Sequence, residues 1–485
     1  MTTPKTAAPP AVPPTPPALP TGFAERLTTL LGSGGTVVAP AELGAYGSDH
    51  TEDLVHVPGA VALPRTTEEV AAVVRLCGDF GVPITTRGAG SGLAGGCLPV
   101  RGGLVLSTER MDAIVEIDER NHQVRVQPGV ITEVLQDAVA ARGLFYPVDP
   151  ASRGWCTIGG NVNTNAGGPR AVKYGVVKDY VLNLRAVLPN GEIVWTGADT
   201  LKNSTGYNLT QLLVGSEGTL AIVTEIVLRL LPKPTHDLLL LVPFGRAEDA
   251  CAAVADIFRA GVVPSALEFM ERTAIELAAA YTGVDEVLAF GADTAAQLLI
   301  EVDGPRPEPL YEDCELIAEV LGRHGAGEVL FADNEAQKRE LWNLRRNVGQ
   351  AVKLSSAYKE EDTVVPRAEL PALLRAVKEI GGRYGFESVC YGHAGDGNLH
   401  VNVLKSSMTD EAWRERLPLA IRELFTVVRD LGGTISGEHG IGLVQRAYLD
   451  IVFDEPQRAL QAAIKRAFDP RGLLNPDKVL YAPAA

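Results

Sequence analysis

Three histidines and a glutamate stand out by the company they keep. "YGHAGDGNLH" (391–400) sets His393 and His400 around a glycine-rich turn in a chain with eight histidines. "GGTISGEHGIG" (432–442) puts Glu438 beside His439, between glycines that free the backbone to aim both side chains. "VCYGH" and "LHVNV" have the alternating character of strands, so the first stretch predicts a hairpin. With residues 395–398 as a four-residue loop, His393 would lie opposite His400, and opposed side chains share a sheet face. Leu399, Val401 and Val403 would take the other face, leaving Asn402 beside His400 as a support for a ligand histidine or a substrate. A histidine pair at a turn is by itself closer to plain structure than to a site. Adding Glu438 changes the balance, because two imidazoles and one carboxylate can hold a divalent metal and leave positions open for a substrate.

The N-terminal half supplies glycine-rich segments of a different kind. "PITTRGAGSGLAGG" (83–96) carries five glycines in nine residues, and its backbone can turn several N–H groups toward one anion. It lacks the acidic partner and the clean following helix of the dinucleotide fingerprint. "TIGGNVNTNAGGPRAVKYG" (157–175) repeats the pattern with asparagine and threonine as further donors. "STGYNLTQLLVGSEGTLAIVTEI" (204–226) ends in a Gly-Ser-Glu-Gly-Thr turn entering a strand, where a flat ligand can approach the backbone closely.

Taken with "PRTTEEV" (64–70), "KYG" (173–175) and "NPDK" (475–478), these motifs resemble the FAD-linked oxidoreductases of the vanillyl-alcohol oxidase (PCMH-type) fold over roughly residues 45–482. The branch is that of the glycolate oxidase catalytic subunit, D-lactate dehydrogenase and D-2-hydroxyglutarate dehydrogenase. The resemblance implies that Arg87, Gly88, Ala89, Gly90, Ser91 and Gly92 wrap the FAD pyrophosphate. Pro150, Thr157, Gly160, Thr164, Gly167, Gly168 and Gly175 would line the flavin and ribityl portion, with Asn161 and Tyr174 in the same motifs. Glu217, Gly218 and Ile222 would stand toward the adenine, and Asn475 would complete the pocket. No histidine occurs in 87–96, so FAD is expected to be non-covalent.

The same resemblance reaches H-x-G-D-G-N-x-H and E-H-G-x-G. It implies His393, His400 and Glu438 as ligands of zinc or manganese, His439 as the base at the flavin, and Arg345 in "LWNLRRN" as the grip on the substrate carboxylate. The expected reaction is oxidation of a D-2-hydroxy acid to the 2-oxo acid. The 2-hydroxyglutarate members carry a lysine where this chain has Glu360, six residues before Pro366; that favours glycolate, D-lactate or another monocarboxylate, unless Lys359 compensates. Two alternatives remain: a non-catalytic flavin subunit of an oxidase complex, and a transferase like the alkyl-dihydroxyacetone-phosphate synthases, which look like H-H-H-G where this chain has Gly437-Glu438-His439-Gly440.

Positioning these groups takes more than one core. A chain of 485 residues with 46% apolar content predicts two or three domains. The expected fold is α+β: a disordered Pro/Ala tail (1–20), an FAD-binding domain (21–234), a cap domain with a helix-covered antiparallel sheet (235–445), and a C-terminal segment (446–485) returning to the first domain. "AVVRL", "GLVLS", "HQVRVQPG", "LNLRAVLPNGEIVW" and "LAIVTEIVLRLL" read as strand-like runs, "LPKPT" (231–235) as the boundary. Helical patterns cover 246–260, 265–281, 335–350, 368–384 and 410–430.

A net charge of −16 opposes nucleic acid as a partner. Six scattered cysteines give no iron–sulfur or disulfide pattern, so electrons would leave the flavin to oxygen, a quinone, a cytochrome or a partner redox subunit. With no transmembrane segment and no secretion signal, the expectation is a cytoplasmic protein; attachment at the inner face of the membrane and a homo-oligomer are both left open.

Overall fold

The computed structural model of this chain describes residues 18–283, 293–332 and 334–480. Of the stretch assigned as a disordered tail, 1–17 lies outside the described residues.

Two sheets form the N-terminal part. One runs in the order Thr36–Val37, Ala60–Ala62, Leu104–Ser107, Ile84–Arg87, its last three strands parallel. The other is antiparallel: Ile114–Asp118, Gln123–Val126, Ile222–Arg229, Val181–Val187, Ile193–Trp195. "AVVRL", expected as a strand, lies inside the helix Thr67–Phe80. Capping decides it. The Thr66 hydroxyl accepts the Glu69 N–H, the Glu69 carboxylate accepts the Arg65 N–H, and left-handed Gly81 ends the helix. Val70, Val73, Val74 and Cys77 then fall on one buried stripe, which outweighs the β-preference of the valines.

The C-terminal part is built on one seven-stranded sheet, every neighbouring pair antiparallel: Leu330–Phe331, His236–Phe244, Ala296–Gly304, Ala266–Glu271, Glu387–Gly392, Asn398–Leu404, Tyr358–Val364. The helical pattern over 265–281 divides into the strand Ala266–Glu271 and the helix Arg272–Thr282. The strand Tyr358–Val364 and the helix Pro307–Arg323 are additions to the sequence reading.

The two faces of this sheet differ in chemistry. One is aliphatic, burying Leu240, Val242, Leu267, Ile300, Val401 and Val403 under the helices Ala247–Arg259, Pro307–Arg323, Leu370–Tyr384 and Asp410–Asp430. Each such side chain contributes roughly 1.5–3 kcal/mol on burial. The other face carries the helices Arg272–Thr282 and Glu335–Ser355 over part of its area. On this face stand Glu268, Glu301, Glu360, Asp362, Tyr391, His400 and Asn402, matched across the strands by registers such as Glu360↔Asn402 and Asp362↔His400. It meets the N-terminal domain through ions: Arg170 with Glu301, Lys173 with Asp303, Arg346 with Asp149. After the helix Glu455–Phe468 the chain returns to the first sheet, where the Ile84 N–H donates to the Leu473 carbonyl and the Asn475 N–H to that of Ile84.

Candidate active site

The hairpin closes in a different register from the one expected. Its connection holds five residues, with a 3-10 turn over Ala394–Asp396, and Tyr391 rather than His393 pairs with His400. Gly397 makes this possible: it takes φ +84°, and a Cβ there would meet the Val365 carbonyl oxygen at 1.9 Å. His393 lies just past the strand end, yet its ring comes within 5.3 Å of the His400 ring, centroid to centroid.

Glu438 completes the group. Its Oε1 lies 3.3 Å from His393 Nε2 and 3.7 Å from His400 Nε2, and one donor atom from each of the three falls within 4.8 Å of the others. Both Glu268 oxygens lie 2.9 Å from His393 Nδ1. With Nδ1–H donated there, Nε2 is free to be a ligand, the arrangement by which a carboxylate orients a metal-binding imidazole. Burial alone would lower the His393 pKa, but the Glu268 and Glu438 carboxylates raise it well above the ordinary value. Burial would raise the Glu438 carboxyl, and His393, outweighing it with His400 and His439, holds it at about 2. Burial, with His439 and His393 adding to it, pushes His400 down to about 3. The donor set therefore suits a divalent cation, with charged partners already compensating one another where the ion would sit.

His439 stacks on His400, centroids 5.2 Å apart and planes within 10°. Burial lowers its pKa, but the Asp362 and Glu360 carboxylates outweigh that and hold it above the ordinary value. With Glu360 and His400 it forms a second set of donor atoms within 4.8 Å. Arg345 is buried rather than solvated: it pairs with Glu268 and lies 5.1 Å from the Tyr391 ring centroid. The Tyr391 hydroxyl donates to Glu360 at 3.1 Å. Asn402 is fully buried beside the Tyr391 hydroxyl, and its amide makes no hydrogen bond to either histidine.

The three histidines, Glu438, Glu360, Tyr391 and Arg345 form one wall of a cavity of about 600 Å³, and the glycine segments form the other. Gly88, Ala89, Gly90, Ser91, Gly92, Pro150, Thr157, Gly160, Asn161, Thr164, Glu217 and Gly218 line it, as do Arg345, His393, His400, Glu438 and His439. The other residues of the expected flavin set lie behind this lining. The Arg87 guanidinium bonds the Ser48 carbonyl, and the Tyr174 hydroxyl donates to Asp303. Gly168 (φ +133°) packs on the Asp149 backbone, Gly175 (φ +81°) on the Asp179 side chain, and Gly167 on Glu438. Ile222 is buried in its strand, and Asn475 Nδ2 donates to the Gly96 and Glu217 carbonyls. The size is that of a ligand site. Its glycine wall fits a cofactor that lies against backbone: Gly90 takes φ +76° and Gly218 φ +68°, conformations that suit a residue without a Cβ.

Residues 233–479 match the family model "FAD linked oxidases, C-terminal domain", and 58–197 match "FAD binding domain". The chain belongs to the FAD-linked oxidase family. It is an FAD-dependent oxidoreductase with the PCMH-type α+β fold that its motifs implied. It is 40% identical over 437 residues to glycolate oxidase subunit GlcD of Bacillus subtilis (strain 168), covering 90% of this chain and 91% of that protein. It is 38% identical over 443 residues to a D-lactate dehydrogenase of Anaerostipes hadrus, covering 91% and 92%. To the D-2-hydroxyglutarate dehydrogenase of Stutzerimonas stutzeri (strain A1501) it is 33% identical over 463 residues, 94% and 98%. Among solved structures, 4-ethylphenol oxidase from Gulosibacter chungangensis superposes with a TM-score of 0.76 at 20% identity, over 96% of this chain and 98% of that one; this likeness concerns the fold.

Glu268, Asp362 and Tyr391 were outside the sequence reading of the site. The signal available was an acid at an alternate position of an otherwise apolar strand, as in "ALEFME".

Proposed function

We propose that this oxidoreductase converts a short 2-hydroxy monocarboxylate, glycolate or a D-2-hydroxy acid such as D-lactate, to the 2-oxo acid. The observation that carries the reading is the convergence of His393, His400, Glu438 and His439 on one wall of the cavity whose other wall is the glycine cradle. The relatives named for glycolate and D-lactate oxidation support it. His393, His400 and Glu438 would hold a divalent metal, and residues 88–92 with 157–164 would hold FAD. Bound there, FAD supplies the two-electron acceptor, and the metal supplies a Lewis acid for the hydroxyl. His439 takes the hydroxyl proton while the C2 hydrogen departs with its electron pair; Glu360 and Asp362 stabilise the imidazolium that results. Arg345, partly neutralised by Glu268, presents its remaining N–H groups to the substrate carboxylate.

Substrate length is limited by Glu360. It lines the cavity with the Tyr391 hydroxyl upon it, and Gly349 leaves room for that hydroxyl, since a Cβ there would meet it at 3.0 Å. The Lys359 ammonium forms its ion pairs with Glu52 and Glu361 and not with the Glu360 carboxylate. A second substrate carboxylate would meet like charge there. The name of the Bacillus relative, a subunit, supports a partner subunit for this chain as well.

Anaerobic bleaching of the flavin by D- and L-2-hydroxy acids, before and after EDTA, tests this. Bleaching by D-acids that EDTA abolishes is expected. Equal bleaching by L-acids, or indifference to EDTA, would sink it.

A further inference from the structure

The loop that carries Glu438 and His439 is held by two carboxylates, one from each domain. Asp362 reaches it from the strand Tyr358–Val364. Its Oδ2 accepts the backbone N–H groups of Gly437, Glu438 and His439 at 2.8, 2.7 and 2.9 Å, and the Ser436 hydroxyl at 3.0 Å. Its Oδ1 accepts from Asn398 Nδ2 at 2.8 Å. Glu217, from the N-terminal domain, accepts the N–H groups of Ile441 and Gly442 at 2.8 and 2.9 Å. Between them the Gly440 N–H donates to the Ser436 hydroxyl oxygen at 3.0 Å. Six consecutive backbone donors thus end on side-chain oxygens.

The N–H groups of 437–439 converge on one oxygen as in an anion nest, and here the protein fills it with its own acid. The arrangement is costly to assemble. Glu217 adopts φ +50°, a left-handed conformation that disfavours a residue with a Cβ, and Asp362 is 2% exposed. Strain of this kind persists where its surroundings over-determine it. They do so here: the Glu217 N–H donates to the Asn163 carbonyl, and the Glu217 carbonyl accepts from Asn475 Nδ2.

We infer that Asp362 and Glu217 are positioning residues that fasten loop 436–442 to both domains at once, setting Glu438 against the histidine pair and His439 against the flavin cavity. The inference rests on reading Glu438 as a metal ligand, and its test separates the two. On the FAD-loaded enzyme, Zn²⁺ affinity is measured by competition with a chromophoric chelator, and hydrogen exchange is resolved to single amides over residues 432–446. D362N is expected to weaken Zn²⁺ binding about 10–100-fold, as loss of a supporting contact does, with FAD content unchanged. It should also speed exchange at 437–439 by about tenfold or more while leaving 441 and 442 slow. E217Q should do the reverse, speeding 441 and 442. If D362N does not fold, S436A decides, with a smaller loss of Zn²⁺ affinity and faster exchange at Gly440 expected. A folded D362N or S436A with wild-type affinity and wild-type exchange overturns the inference. A wild-type enzyme that binds no Zn²⁺ removes the metal reading instead, and the exchange pattern alone then decides whether the two carboxylates hold the loop.

Discussion

The two walls of the cavity are made of opposite materials. The N-terminal wall is backbone, shaped by missing Cβ atoms at Gly88, Gly90, Gly92 and Gly218. The cap-domain wall is buried charge: Glu438 lines it, Glu268 and Asp362 stand behind it, and each is compensated by imidazole, guanidinium or N–H groups. The first should therefore be the more sensitive to volume, the second the more sensitive to charge. The proposed chemistry calls for this division, since a large flat cofactor needs surface, whereas a small anionic substrate and an ion would need point charges at fixed places.

The hardest break should come on the charged wall. Glu438→Gln keeps the shape but removes a carboxylate that both histidines face. Turnover of a D-2-hydroxy acid is expected to fall on the order of 10³-fold, as the several kcal/mol of a lost metal contribution imply. FAD content, read from the flavin absorbance of the purified enzyme, should stay at the wild-type ratio. A parallel loss of FAD would show that the two walls do not act separately.

On the glycine wall the corresponding break is Gly90→Ala. The added Cβ would meet the Arg87 guanidinium at 2.1 Å, on a backbone at φ +76° that costs a non-glycine residue roughly 1–2 kcal/mol. FAD affinity, measured by titrating the apoenzyme, should fall about tenfold, the fold-change that such a cost corresponds to. Zn²⁺ affinity should be unchanged.

The same contrast governs what could be read from the chain beforehand. Glycine loops and histidines are uncommon enough, and so fixed in their spacing, that "RGAGSGLAGG", "HAGDGNLH" and "GEHG" announced both walls. Glu268 and Asp362 did not announce themselves. Each is one acid in a strand, and its role depends on which strands lie next to each other: Ala266–Glu271 beside Glu387–Gly392, and Tyr358–Val364 beside Asn398–Leu404. Register was misjudged for a local reason, since one 3-10 turn shifts the pairing and leaves Tyr391 opposite His400. The helix over "AVVRL" was hidden by its valines and settled by its cap at Thr66.

The finest distinction between the walls is their response to pH. The His393 pKa is raised well above 6.5 by Glu268 and Glu438, so in the metal-free enzyme this ring keeps its proton at neutral pH. A raised histidine pKa stabilises the folded state fully below the unfolded value near 6.5, and that contribution is lost as pH rises through the folded value. A metal must displace the same proton, so Zn²⁺ affinity should climb with pH above neutrality, by at most about tenfold per pH unit for one proton released. His400, already held at about 3, adds nothing to the slope. Glu268→Gln removes one of the two carboxylates that hold the proton, so the slope should flatten. The plateau affinity should still drop about 10–100-fold, because the partner of Nδ1–H is weakened. On the glycine wall burial pushes Glu217 up to about 7, so the pH dependence of FAD affinity should be the same in Glu268→Gln as in the wild type. Chelator competition from about pH 6 to 9 measures the slope; a wild-type Zn²⁺ affinity that is flat with pH would mean that the His393 proton does not stand where the ion binds.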